Sequence, residues 1–158
     1  GIFLNWINHA DIQHGGGRIQ YGSNLVSAAS FSASLSSQVQ LEAEETVYFD
    51  RVATNVGGRY FPTHGMFLCP LDGTHFFTWT VHAMSDQRAV VDVRKNSEDL
   101  AHGPLTTWTE GKSSGTYELS ALVYCNMDDA VWIRAHSEPN QTCNLEGEFN
   151  SFTGIHLF

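Results

Sequence analysis

The sequence predicts an all-β fold, a sandwich or jelly roll of antiparallel strands. Three observations carry that expectation. Apolar residues recur at every second position in several separate segments, turn-forming clusters stand between those segments, and 14 glycines accompany many Ser, Thr and Asn residues. Successive side chains of a strand point to opposite faces, so strict alternation marks strands with one buried face, as antiparallel sheets have. The turn clusters recur at intervals of about ten residues, the spacing of short strands in a sandwich.

Taken in order, residues 1–24 differ from the rest of the chain: a short apolar start, then Gly15-Gly16-Gly17 and a polar run without period. They read as an N-terminal arm joined by a glycine hinge to a globular domain over 25–158. If the domain has a helix, Ser36–Glu45 is where it fits best. Over Thr74–Met84 the apolar residues Phe77, Trp79, Val81 and Ala83 interleave with Thr78, Thr80 and His82. Ala89, Val91 and Val93 alternate with Arg88, Asp92 and Arg94, which assigns those charged residues to a solvent face. Tyr117, Leu119, Ala121, Val123 and Cys125 form a third such set, and Val131, Ile133 and Ala135 a fourth, set against Trp132, Arg134 and His136. Turns are expected at Asn55-Val56-Gly57-Gly58, Pro70-Leu71-Asp72-Gly73, Lys95-Asn96-Ser97 and Asn126-Met127-Asp128-Asp129. Neither a Gly-X-Y repeat nor another internal repeat is present.

Composition narrows function. With 42% hydrophobic residues, 12% aromatic residues and 158 positions, the chain is long and apolar enough for one substantial core. Its formal net charge of −9 disfavours nucleic acid and anionic membrane surfaces, which both reward positive charge. No apolar run reaches the roughly 20 residues that a membrane-spanning helix needs. Gly1-Ile2-Phe3-Leu4 does not read as an intact signal peptide, and is compatible with a mature end left by cleavage. Cys69, Cys125 and Cys143 permit one disulfide, at a spacing that matches no zinc or redox motif. Asn140-Gln141-Thr142 is an N-glycosylation acceptor triplet within a polar stretch that reads as a loop.

The segment from Phe49 to Trp79 resembles the signature of the C1q domain. Phe49, Asn55, Tyr60, Phe67, Gly73, Phe77 and Trp79 fill its positions, and His75 stands where the signature has Tyr. Phe31-Ser32-Ala33 looks like the family's first strand. Val93-Arg94-Lys95-Asn96 resembles the strand leading to its Asn-Gly turn, with Ser97 for Gly. Asp129-Ala130-Val131-Trp132 resembles its Gly-Asp-x-Val-Trp turn, with Asp128 at the glycine position, and Phe152-Thr153-Gly154 opens a similar closing strand. The resemblance spans about residues 28–158 and leaves the arm unexplained.

That resemblance implies a ten-stranded jelly roll of two five-stranded sheets, shared with the tumour necrosis factor group, and a trimer. Phe49, Tyr60, Phe67, Phe77, Trp132 and Phe152 would then fill the space between sheets, each burial contributing about 1.5–3 kcal/mol. Gly73 and Gly154 read as positions set by backbone geometry. It also places Cys69 near Cys125, implying a disulfide there with Cys143 free or intermolecular; the alternative is that all three are reduced, two of them serving as small buried hydrophobic side chains.

No nucleophile elbow, P-loop, dinucleotide fingerprint or metalloprotease motif is present, so the chain is not expected to be an enzyme. His82, His136 and His156 fall on the polar parity of their strands, suited to solvent or a subunit interface. Calcium suits the loop carboxylates better than zinc does: several members of the family bind it through acidic loops, and Glu98, Asp99, Glu110, Asp128 and Asp129 offer hard oxygens, Glu110, Asp128 and Asp129 foremost. The bland reading of these groups is solvated loop charge. For a sugar ligand, Glu98, Asp99, His102 and Glu138 offer planar polar groups and carboxylates, and Trp108 an aromatic platform, unless Trp108 belongs to the core. A bare head without collagen resembles secreted lectin-like pattern-recognition proteins of innate immunity that bind microbial glycans. The alternatives are a trimeric protein ligand of a cell-surface receptor and a structural assembly module.

Overall fold

The computed structural model describes residues 29–83, 89–96, 108–111, 115–136 and 140–158. The arm and glycine hinge expected over 1–24 lie outside the described residues. Within them the chain forms twelve strands: β1 Ser30–Ser34, β2 Val39–Leu41, β3 Arg51–Val56, β4 Tyr60–Phe61, β5 Met66–Leu68, β6 Gly73–Ala83, β7 Ala89–Lys95, β8 Trp108–Gly111, β9 Gly115–Cys125, β10 Ala130–Ala135, β11 Cys143–Leu145 and β12 Ser151–His156. One five-stranded sheet has the order β3-β1-β12-β6-β9, the other β4-β5-β10-β7-β8, and β11-β2 form a small third sheet. This is the expected jelly roll of ten main strands, with every named pairing antiparallel.

Ser36–Glu45 is not a helix, which corrects the expectation there. Val39–Leu41 pair with Cys143–Leu145, and Val39 and Leu41 pack against the core. Burial of two apolar side chains and three cross-strand pairings outweigh the helix preference of Leu, Ala and Glu, which spans tenths of a kcal/mol per residue.

The core is aromatic. The ring of Phe31 stacks on Tyr60 at 4.6 Å between centroids, lies 4.9 Å from Phe67, and meets Phe152 edge-on at 4.8 Å. Stacked and edge-on pairs satisfy the ring quadrupole as well as burying area. Tyr60 donates its hydroxyl hydrogen to the Phe49 carbonyl at 2.9 Å, so its polar end is satisfied in the interior. Asn55 closes the turn before Tyr60 by donating to the Tyr60 carbonyl at 2.8 Å and accepting from the Tyr60 N–H at 3.1 Å. Of the aromatics expected between the sheets, Trp132 is the exception: it is buried, yet stands outside the contiguous core. Its parity faces away from Val131 and Ile133, and its register partners are Met66 and Arg94.

Two glycines are required by close approach. A Cβ on Gly154 would stand 2.6 Å from Phe31 Cε1 and 2.7 Å from Phe77 Cδ1. Gly73 has φ +147°, and a Cβ there would come within 2.5 Å of the Phe158 carbonyl oxygen. Asp128 adopts φ +69°, so the residue at the resemblance's glycine position takes a glycine-like conformation.

Gly154→Ala inserts a methyl group into the aromatic stack without room for it. Denaturant unfolding is expected to show a loss of about 1–3 kcal/mol, the usual cost of overpacking. An unchanged unfolding midpoint would contradict the packing described.

Candidate functional site

Of the positions nominated for ligand or metal, Glu98, Asp99, His102 and Glu138 lie outside the described residues. Trp108 and Glu110 fall on β8, in register with Asp92 and Val90 of β7. Asp128 and Asp129 are built into the turn before β10. Asp129 accepts from Asn96 Nδ2 and from the Asn126 N–H, each at 2.9 Å, and Asp128 pairs with Arg59. The two neighbouring carboxylates therefore bind different partners: Asp129 braces the turn and joins it to Asn96, whereas Asp128 ties it to Arg59.

The β11-β2 pairing creates a polar groove. Cys143 is in register with Leu41, so the residues before β11 and those after β2 emerge side by side. Asn140, Gln141 and Thr142 face Glu42 and Ala43 around a space of about 470 Å³. Asn140 is exposed and has φ +69°, a conformation Asn tolerates better than most residues. Thr142 Oγ1 accepts a hydrogen bond from Asn144 Nδ2 at 3.3 Å, which orients the hydroxyl. The groove thus offers two side-chain amides, a hydroxyl and a carboxylate. Sequence reasoning found Asn140 through its glycosylation triplet, but could not pair it with Glu42.

Asp92, assigned by parity to solvent, is 0% exposed. Arg134 donates to it through Nε at 3.1 Å and Nη2 at 2.8 Å, a two-pronged contact across the β7–β10 register. His136 Nδ1 lies 3.4 Å from the same carboxylate. The correction has a structural cause: the outer side of β7 is covered, because the Val90 carbonyl accepts from the His136 N–H at 2.8 Å and from the Cys143 thiol at 3.4 Å. A paired buried carboxylate is costly to expose to an unpaired state, so this contact locks β7 against β10.

The histidines divide similarly. His136 is exposed, as expected, whereas His82 is half-buried with Nε2 3.0 Å from Glu146 Oε2. His156 is on the inward parity of β12, following Phe152 and Gly154, and not on the polar one. It lies in register with His75, their ring centroids 4.8 Å apart. His75 is wholly buried, and one of its ring nitrogens and the sulfurs of Cys69 and Cys125 lie within 4.8 Å of one another. Cys69 and Cys125 are the two cysteines the resemblance brings together, and here they are free thiols. The signal for this cluster was present in the sequence: a histidine on the apolar parity of β6, at a position where the C1q signature has Tyr.

The outer face of the β3-β1-β12-β6-β9 sheet carries a row that is apolar except at Ser30. Val56, Ser30, Ile155, Phe76 and Leu122 stand in register across its five strands. Leu122 is 65% exposed and Val56 52%. Tyr124 extends the patch along β9.

Known proteins resemble the chain along the same lines. The model of the C1q domain family matches residues 30–157. The chain is 27% identical over 137 residues to a complement C1q subcomponent of Homo sapiens, covering 81% of this chain and 49% of that protein. It is 27% identical over 130 residues to the heavy metal-binding protein HIP of Mytilus edulis, covering 80% of this chain and 59% of that one. The chain therefore spans about half the length of the curated relatives it matches. Among solved structures, the globular domain of zebrafish complement 1qA protein superposes with a TM-score of 0.66 at 15% identity, covering 82% of this chain and 97% of that one. Eiger TNF from S. frugiperda superposes with a TM-score of 0.61 at 14% identity, over 83% of this chain and 91% of that one.

Arg134→Met should destabilise the domain by about 3–5 kcal/mol, because it strands the buried Asp92 carboxylate. Adding Asp92→Leu to that variant should restore most of the loss in a denaturation double-mutant cycle. Equal, additive losses from the two changes would contradict a direct pair.

Proposed function

Because the chain belongs to the C1q domain family, we propose that it is a non-enzymatic recognition head that binds carbohydrate, as a secreted lectin-like pattern-recognition protein directed at microbial glycans. The groove between Asn140–Thr142 and Glu42–Ala43 carries this reading. Sugar hydroxyls are recognised by planar amides and carboxylates that donate and accept at fixed angles, and the groove collects those groups with a hydroxyl. No helix among the described residues is long and apolar enough to cross a membrane.

Single sugar sites are weak, so useful affinity requires several copies in one particle. The row of Val56, Ile155, Phe76 and Leu122 suits burial against further copies of the chain, in a trimer of heads. Three linked sites gain avidity whenever the target presents matching spacing.

Protein made without glycosylation should bind a glycan array in a sugar-competable manner, and Glu42→Ala and Gln141→Ala should each weaken it. Running the array in calcium and again in EDTA reads whether the metal takes part. A blank array in both buffers overturns the carbohydrate reading and leaves a protein partner. Sedimentation should give three times the chain mass, and Leu122→Glu should release monomers; a monomeric wild-type chain would contradict the assembly.

A further inference from the structure

We infer that Cys69, His75 and Cys125 form a buried binding site for a zinc-class divalent ion, next to the ring of His156. Local spacing hides the set, because it is assembled from three places: the residue after β5, the inward face of β6 and the end of β9. Gly73, which opens β6, is in register with Cys125, so the start of one strand and the end of the other meet at one end of the sandwich. The three side chains that supply donors are each 0% exposed.

His75 is prepared as a ligand. Its Nδ1 lies 3.0 Å from the Gly73 carbonyl oxygen, which can only accept, so Nδ1 carries the hydrogen and the lone pair falls on Nε2. That Nε2 is buried and has no hydrogen-bond partner. A ring N–H held by a backbone carbonyl is the usual support of a metal-bound histidine. His156 Nε2 is likewise buried without a partner, above Gly73, whose missing Cβ leaves it room. Two orphaned imidazole nitrogens, one of them on the histidine grouped with two thiols, are costly in the interior unless something occupies the space.

Chemistry selects the ion. Thiolate and imidazole are soft or borderline donors, which suit zinc and cadmium and not calcium. Two thiolates balance one divalent cation, so the loaded site adds no net charge to the core. Metal–ligand bonds of about 2.0–2.3 Å set tetrahedral donor separations of roughly 3.5–3.8 Å, so donors within 4.8 Å need only a small contraction. Binding converts both thiols to thiolates and releases two protons, so affinity rises with pH.

The test uses the full chain, reduced and metal-free, titrated with zinc against a chromophoric chelator and separately with cobalt. One zinc per chain is expected, with thiolate-to-cobalt charge-transfer bands and an affinity that falls by up to about 100-fold per pH unit on acidification. Cys69→Ser and Cys125→Ser should each weaken binding by about 100-fold or more, whereas Cys143→Ser, equally buried, should not change it. Should the serine variants fail to fold, cadmium NMR of the unaltered chain reads the donor set directly, and a resonance in the two-sulfur range supports the site. Absence of stoichiometric binding by fully reduced protein, a cadmium shift in the all-oxygen range, or dependence on Cys143 overturns it.

Discussion

Gly154 lies where β12 passes between the rings of Phe31 and Phe77, closer to each than any Cβ would allow. β12 is the central strand of its sheet, paired with β1 on one side and β6 on the other. The missing side chain lets Phe31, Phe77 and Phe152 close over the strand, and Tyr60 and Phe67 of the other sheet pack onto them. Beyond Gly154 the strand continues to His156, and the chain then reaches Phe158, whose carbonyl accepts from the Thr74 N–H at 2.6 Å. The same strand therefore builds the aromatic centre, the end where the cysteines and histidines gather, and, through Ile155, the outward apolar row.

Much of this was legible in the sequence because period-two alternation reports directly which face of a strand is buried. It located β6, β9 and β10, and the C1q-like spacing named most of the rings between the sheets. Alternation failed where a strand is covered on both sides. In β7 the outer residues Val90 and Asp92 are as buried as Val91 and Val93, because residues about fifty positions downstream lie across them. The missed strand β2 has a related cause: its partner is β11, some hundred residues away, and local propensity carries no information about so distant a pairing.

The sites show the same division. Asn140 announced itself by a triplet, but the groove exists only because β2 and β11 pair and bring Glu42 opposite it. The cysteine and histidine cluster is drawn from residues 69, 75 and 125, a separation that no metal motif describes, and its one local trace was a histidine on a buried parity. Polar residues here take two routes into the interior. Asp92 is neutralised by Arg134, whereas His75 and His156 each keep a buried nitrogen without a hydrogen-bond partner. The first arrangement fixes strand register and the second has donors to spare, which is why only the second suggests an occupant.

Mapping of backbone amide shifts tests carbohydrate recognition by the groove most directly. The chain, titrated with pooled soluble oligosaccharides, should show shifts concentrated at Glu42, Ala43, Asn140, Gln141 and Thr142. A spectrum that stays unchanged, or shifts concentrated on another surface, would contradict it.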